Sequence, residues 1–349
     1  MMNSLKKKVV VAMSGGVDSS LVAALLKEEG YDVLGITIHH FKGAENLESA
    51  EQVAKDLKIP WDILDFSKEF QNIVISYFCQ EYLAGRTPNP CVVCNLKIKF
   101  GLLLEKAKLL GVDYLATGHY AIKKYDQKSK KYLLKRGVDE NKDQSYFLYR
   151  LNQQILPYVL FPLGKFKKSQ TREVAKRYGL KNYKKKESQE ICFIQDDNYK
   201  KYLTQYSRDT IKPGKLVDKE GKILGEHQGI PFYTIGQRKG LGVALNKRRY
   251  VIGINSQQNL IILGDDQDLY KDKLLVKDLS FISGHKLLNS IKAEVQIRYN
   301  SKKSSAIISP YGEDRVLINF EKPQRAITPG QSAVFYQGDV VVGGGVIEV

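Results

Sequence analysis

The chain has 349 residues, long enough for two or three domains each with its own core, and 55 Lys plus Arg against 38 Asp plus Glu leave a formal charge of +17. That excess favours a polyanionic partner, since lysine and arginine displace counterions from phosphate backbones, although a lysine-rich soluble surface would produce the same count. No apolar run approaches the roughly 18 residues of a membrane span, residues 1–8 are basic but lead straight into a strand, and four cysteines are too few for a disulfide framework. No membrane partner is expected, and the location should be cytoplasmic, or an organelle if a presequence is removed. Paired thiols in a reducing compartment point to catalysis, redox chemistry or metal binding.

The first elements are a short β-branched run, Val9-Val10-Val11, the segment Ser14-Gly15-Gly16-Val17-Asp18-Ser19-Ser20, and an apolar helical pattern from Leu21 to Leu26. Strand, glycine turn and helix N-terminus make a phosphate site: the glycines let the backbone approach an anion, and the free N–H groups of the new helix point at it. No Gly-Lys-[Ser/Thr] ending and no G-x-G-x-x-G are present, so neither a Walker loop nor a dinucleotide fingerprint fits. Ser-Gly-Gly-x-Asp-Ser resembles the loop of the N-type ATP pyrophosphatases, which cleave ATP between the α- and β-phosphates.

Strand and helix then alternate: strand 31–39, helix 46–57, strand 61–65, helix 68–83, helix 96–110 and strand 113–117. The alternation predicts an α/β fold, a parallel doubly wound sheet whose ligands lie at the carboxyl ends of its strands. Three features follow such ends: the glycine loop, Ile38-His39-His40 and Gly118-His119. Residues 144–206 read as mainly helical, with Ser169 or Thr171 as the cap of a helix over 169–178. After Tyr206 short strands alternate with Pro, Gly, Asn and Asp turns. The expected domains are 1–206, catalytic; 207–270, central and β-rich; and 271–349, a small β-barrel with strands near 291–298, 306–309, 315–320 and 332–336.

The cysteines carry the second signal. In Arg86-Thr87-Pro88-Asn89-Pro90-Cys91-Val92-Val93-Cys94-Asn95, two prolines stiffen the approach to a C-x-x-C pair. A helix starting near Asn95 would put its positive end by Cys94 and favour the thiolate. A zinc site would need two further ligands at recognisable spacing, and a thioredoxin-like motif a different setting. Cys192 follows the basic run Lys184-Lys185-Lys186, which could stabilise a thiolate or persulfide anion. Cys79, on an apolar helix face, reads as core, and His227 as a turn residue fixing the central domain. His39, His40 and His285 carry no assignment.

Seven blocks together resemble one family closely: Ser14 to Ser19, Thr87-Pro-Asn-Pro-Cys91-x-x-Cys94-Asn-x-x-Ile-Lys-Phe100, Ala116-Thr-Gly-His-Tyr120, Asn141-Lys-Asp-Gln-Ser-Tyr-Phe-Leu148, Gly225-Glu-His-Gln-Gly229, Ile235-Gly-Gln-Arg-Lys-Gly240 and Thr328-Pro-Gly-Gln-Ser-Ala-Val-Phe335. In that order, over nearly the whole chain, they are similar to the tRNA-specific 2-thiouridylases, with an adenine nucleotide alpha hydrolase-like catalytic domain. The resemblance implies adenylation of C2 of the wobble uridine and its exchange for sulfur, giving 2-thiouridine, AMP and pyrophosphate. It implies ATP contacts at Ala12, Met13, Ser14, Gly15, Gly16, Val17, Asp18, Ser19, Ile38 and Gly118, with Asp18 assisting Mg²⁺. It implies base contacts at Asn89, Pro90 and Cys91, and tRNA contacts at His119, Lys142, Asp143, Gln144, Arg298, Tyr299 and Gln331. Cys94 matches the family's nucleophile and Cys192 its persulfide carrier, the two closing a disulfide that an external reductant reopens.

The expected partners are tRNAs with a wobble uridine, the Lys, Glu and Gln acceptors, and a cysteine desulfurase or sulfur-relay protein. Many members carry Asp where this chain has Cys91. A thiol could take over that acid/base role, or Cys91, Cys94 and Cys192 could hold an iron–sulfur cluster with one open iron. The segment 39–45 is also shorter than in many relatives. The rival readings are an amide or guanidine synthetase with the same loop, a 4-thiouridine synthase, and a non-enzymatic tRNA-binding metalloprotein.

Overall fold

The computed structural model describes residues 6–41, 47–185, 191–194, 198–207, 210–243 and 247–348. The expected helix start at Asn46, residues 42–45 of the short segment, and Lys186 of the basic run lie outside the described residues.

A five-stranded parallel sheet holds β1 (Lys8–Ala12), β2 (Asp32–His39), β3 (Trp61–Asp65), β4 (Tyr114–Ala116) and β7 (Val159–Leu160) in the order β3-β2-β1-β4-β7. Val9, Val10 and Val11 are fully buried, as a strand covered by helices on both faces must be. Helix α1 (Val17–Glu28) buries Leu21, Val22 and Leu26 on one face, while residues 90–109 form a continuous helix whose Phe100, Leu103 and Ala107 enter the core of the other. The strand order reverses at β1, which has β2 on one side and β4 on the other. In such open sheets the crevice at that reversal receives ligands. The glycine loop leaves β1 there, and Gly118 lies just after β4.

A hairpin of β5 (Ala121–Asp126) and β6 (Lys131–Arg136) was not foreseen in the sequence, where its lysines mask the alternation of a half-buried strand. It leaves the parallel sheet and pairs with the C-terminal barrel at Lys135 and Val340. Likewise the stretch 144–206 holds the edge strand β7 and several single 3₁₀ turns beside its helices Lys168–Arg177 and Tyr199–Ser207. The first of these is capped at Lys167, with Gln170 reaching back to the Lys167 N–H at 2.8 Å, rather than at Ser169 or Thr171.

The central sheet runs β10-β11-β8-β9, over Tyr250–Asn255, Leu260–Gly264, Gly214–Val217 and Ile223–His227. His227 ties it together as expected: Nε2 lies 3.1 Å from the Asn259 carbonyl and Nδ1 accepts the Gly229 N–H at 3.0 Å. The last region is a six-stranded antiparallel barrel of β12 (Tyr270–Phe281), β13 (Ile291–Gln296), β14 (Ser304–Tyr311), β15 (Arg315–Arg325), β16 (Ser332–Gln337) and β17 (Val340–Ile347), in the order β12-β15-β14-β13-β16-β17 and closed by pairing of β12 with β17. Its inward residues, among them Val276, Val295, Ile308, Ile318 and Phe335, form its own core.

One close approach holds the first hairpin against the parallel sheet. A Cβ at Gly164 would stand 1.9 Å from the Ala121 carbonyl oxygen. Gly164→Ala should therefore destabilise the protein by about 3 kcal/mol, the upper part of the usual range for overpacking, read as a lower urea midpoint.

Candidate active site

The loop turns at Gly15, whose φ of 67° is a left-handed conformation that glycine adopts without strain, and Gly16 is the extended cap of α1. The Ser14 N–H donates to Ser19 Oγ at 3.1 Å, and the Ser19 and Ser20 hydroxyls both donate to the Gly16 carbonyl, at 3.2 and 2.9 Å. Ser49 Oγ and Asn182 Nδ2 clamp the Gly15 carbonyl from outside, at 2.9 and 3.2 Å. The carbonyls of the loop are thus held away from the cleft, the arrangement an anion site needs. Gly118 seats β4 against this helix start: a Cβ there would lie 3.0 Å from the Asp18 Cβ and 3.1 Å from the Ser19 nitrogen.

Asp18 differs from its expected role. Lys168 Nζ lies 2.7 Å from both of its carboxylate oxygens, and Tyr120 donates its hydroxyl to Asp18 Oδ1 at 2.9 Å. As placed, the carboxylate neutralises an ammonium rather than standing open to Mg²⁺. Among the described residues no three His, Cys, Asp or Glu side chains are grouped to hold a metal ion. Asp18 is engaged by Lys168 and Tyr120 in this structure, and Cys91, Cys94 and Cys192 are the thiols that would supply soft donors to a cluster.

Lys168 and Tyr120, which hold the Asp18 carboxylate, are residues of this site that sequence reasoning missed. Lys168 is buried although charged, and it is the first residue of its helix. A cation there opposes the helix dipole, which is the one sequence signal that could have marked it.

All four cysteines are free thiols, Cys79 buried in the core as expected. The helix near the C-x-x-C pair begins at Pro90, not near Asn95, with Pro90 in its first turn and π-helical winding from Cys94 to Leu103. Cys94 therefore sits beyond the first turn, and the expected fall in its pKa does not occur. Burial pushes the Cys94 and Cys91 thiols up, with the Lys99 ammonium opposing the rise. Burial also drives Cys192 up, to about 12, and Cys94 and Cys91 add to the shift, which places the three sulfurs in one neighbourhood. Cys91 and Cys192 reach the surface. Ile38, at the end of β2, is next to the same region, its carbonyl 3.0 Å from His40 Nδ1.

Several residues expected to contact tRNA make hydrogen bonds within the chain. The Asp143 carboxylate is consumed by Arg136 Nε at 2.9 Å, the Gly137 and Ser145 N–H groups at 3.1 and 3.0 Å, and the Ser145 hydroxyl at 3.0 Å. Gln144 Oε1 accepts the Tyr120 N–H at 3.0 Å. Gln331 Nε2 donates to the Thr87 and Pro88 carbonyls, at 2.9 and 3.2 Å, latching the barrel to the loop before Cys91. His119 is buried between Phe100 and Phe161 with Nδ1 2.7 Å from Thr117 Oγ1, and burial lowers its pKa well below the usual value, so it is neutral. These groups meet the need of irregular backbone and buried polar atoms for partners.

Asn89 is nearly buried, Pro90 is buried, and Tyr299 packs on Phe147 at 4.4 Å between centroids. Arg298 reaches the Arg325 carbonyl at 3.2 Å, and Lys142 remains partly exposed. A basic surface lines a groove with Arg238, Lys247, Arg248 and Arg249.

Comparison with known proteins agrees across the whole chain. Residues 7–196 match the model described as the tRNA methyl transferase HUP domain, 200–265 the tRNA methyl transferase PRC-barrel domain, and 271–347 the aminomethyltransferase beta-barrel domain. A tRNA-specific 2-thiouridylase MnmA 2 from a Thermoanaerobacter species is 50% identical, with 99% of this chain and 98% of that protein aligned. A tRNA-specific 2-thiouridylase MnmA from Acetivibrio thermocellus is 47% identical over 98% of this chain and 99% of its own length. Among solved structures, a 4-thiouridine synthetase–RNA complex with bound ATP shares 16% identity and a TM-score of 0.37, covering 58% of this chain and 51% of that one.

Proposed function

Since this chain belongs to the family of the tRNA-specific 2-thiouridylases, tRNA-modifying sulfurtransferases, we propose a division of the wobble-uridine reaction between its two groups of residues. The loop from Ala12 to Ser19, with Gly118 behind it, binds ATP at the strand-order reversal. Its N–H groups and the Lys168 ammonium face the phosphates, so that the uridine O2 attacks the α-phosphate and pyrophosphate leaves. A carbonyl oxygen is a poor leaving group, and adenylation turns it into AMP. The terminal sulfur of a Cys192 persulfide then attacks C2 and AMP leaves; Cys94 attacks Cys192 Sγ of the resulting Cys192–S–S–C2 disulfide, breaking that S–S bond, releasing the 2-thiouridine and closing the Cys94–Cys192 disulfide. An external dithiol reopens it.

What supports this reading is a phosphate-type loop leaving β1, with Cys192 Sγ 3.9 Å from His40 just after the neighbouring strand β2 and Cys91, Cys94 and Cys192 all free thiols. Cys91, beside Cys94 on the same helix start, contacts the target base with Asn89 and Pro90. The wobble base has to leave its stack to reach them, at a cost of about a few kcal/mol. Residues 1–206 carry the chemistry, 207–270 a central module, and 271–349 a tRNA-binding barrel. Arg298, Tyr299, Lys142 and the groove around Arg248 meet the RNA, whereas Asp143, Gln144, His119 and Gln331 hold the framework. Sulfur comes from a cysteine desulfurase or relay protein, and the acceptors are the Lys, Glu and Gln tRNAs in the cytoplasm.

The test incubates the protein with unmodified tRNA, ATP·Mg²⁺ and a persulfide donor, then digests the tRNA and identifies its nucleosides by mass spectrometry. 2-Thiouridine at the wobble position, formed with one AMP per sulfur, is expected. 4-Thiouridine, or sulfur-free AMP turnover on a small-molecule acceptor, would overturn the reading.

A further inference from the structure

We infer that His40 is the base that takes the proton from the Cys192 thiol, making Cys192 and His40 a Cys–His pair that accepts sulfur from a persulfide donor. The inference rests on the reading of Cys192 as the sulfur carrier. His40 Nδ1 lies 3.0 Å from the Ile38 carbonyl oxygen, which can only accept, so Nδ1 carries the hydrogen. In the neutral ring Nε2 then holds a free lone pair, and it stands 3.9 Å from Cys192 Sγ, within hydrogen-bonding reach of a thiol. The ring is fixed edge-on by Phe41 and Phe70, with centroids 4.8 and 4.7 Å away, so the lone pair keeps its aim at the sulfur. Burial lowers the His40 pKa, so the ring is unprotonated at neutral pH and able to receive a proton.

Cys192 is itself exposed, while its partly desolvated setting and the neighbouring Cys94 and Cys91 favour the thiol over the thiolate, so a base beside it would speed its reaction. The charged and titratable groups around the pair are Lys99, His39, Cys91 and Cys94, with Asp65 and Lys201 on the wall of the adjoining cavity. That cavity, lined also by Phe41, Gln71, Phe193 and Tyr202, has His40 on its wall, and Cys192 is itself exposed to an incoming donor. In the step proposed, the Cys192 proton passes to Nε2 and the thiolate attacks the terminal sulfur of a donor persulfide, R–S–SH. The donor S–S bond breaks, a new S–S bond forms on Cys192, and the leaving R–S⁻ takes the proton back from His40. The sum is R–S–SH plus Cys192–SH giving R–SH plus Cys192–S–SH, with atoms and electrons balanced.

The experiment measures iodoacetamide alkylation of the reduced full chain, site by site by mass spectrometry, from pH 6 to 10, in wild type, His40→Phe and His40→Asn. Phenylalanine tests the aromatic packing without the base. Asparagine keeps a donor for the Ile38 carbonyl and lacks Nε2. Both variants are expected to slow Cys192 labelling at neutral pH by about 100-fold, the low end of what a positioned base contributes, and to move its pH midpoint upward relative to Cys94 in the same sample. Cys192 labelling within about threefold of wild type in both, with an unmoved midpoint, overturns the inference. This readout involves neither ATP nor tRNA. Failure of the carrier reading shows separately, as thiolation surviving in Cys192→Ser.

Discussion

Cys192→Ser is expected to reduce 2-thiouridine formation at least about 1,000-fold while tRNA-dependent release of AMP and pyrophosphate persists, uncoupled from sulfur. Serine cannot carry a sulfane sulfur, and its oxygen is a far weaker nucleophile than a thiolate, so the loss is of a covalent step rather than of binding. The phosphate loop and Lys168 lie on other elements, β1 with α1 and the helix Lys168–Arg177, so adenylation has its own machinery. Cys94→Ser should behave differently. A single turnover should deliver sulfur if sulfide is released another way, but no Cys94–Cys192 disulfide should appear on non-reducing mass analysis. Equal thiolation by Cys192→Ser and wild type would remove the carrier role. Loss of AMP formation in step with thiolation would show that the two halves of the site are not separable.

The second large effect is expected at Lys168. Its Nζ sits 2.7 Å from both Asp18 oxygens, with the lysine side chain 10% and the aspartate side chain 30% exposed. Lys168→Met keeps most of the aliphatic stem but removes the charge. Breaking a largely buried pair by deleting one partner costs about 3 kcal/mol, because the remaining carboxylate is left without its counter-charge. If Lys168 faces the phosphates as proposed, removing its charge should also lower the rate of AMP formation by about 10²- to 10³-fold. The two effects separate in a double variant. Lys168→Met with Asp18→Asn should recover most of the stability, since no unpaired charge remains, and none of the rate. Recovery of the rate in the double variant would mean that Lys168 serves only to neutralise Asp18.

Thiolate activation is where local sequence reasoning misled most. A C-x-x-C pair before an apparent helix start suggested a lowered thiol pKa by Cys94. The Pro90 start moves the helix N-terminus one turn earlier, and burial around the sulfurs outweighs Lys99. A helix boundary shifted by a few residues is invisible to periodicity, yet it decides which side chain meets the dipole. Side chains expected at tRNA from their motif blocks also have partners that only the fold reveals. Asp143 closes the turn beneath β6, and Gln331 latches the barrel to the loop before Cys91.

The sequence by itself determined the phosphate loop, the parallel sheet around it, the cysteines and the β-rich second half, because each is a local signal: a glycine turn between strand and helix, hydrophobic runs of fixed period, or a reactive residue type. Only the tertiary structure decided what those cysteines and charges meet. Lys168 reaches Asp18 across 150 positions and His40 reaches Cys192 across 152. Such pairs depend on which strand ends the fold brings together, and no period or motif in the chain encodes that distance.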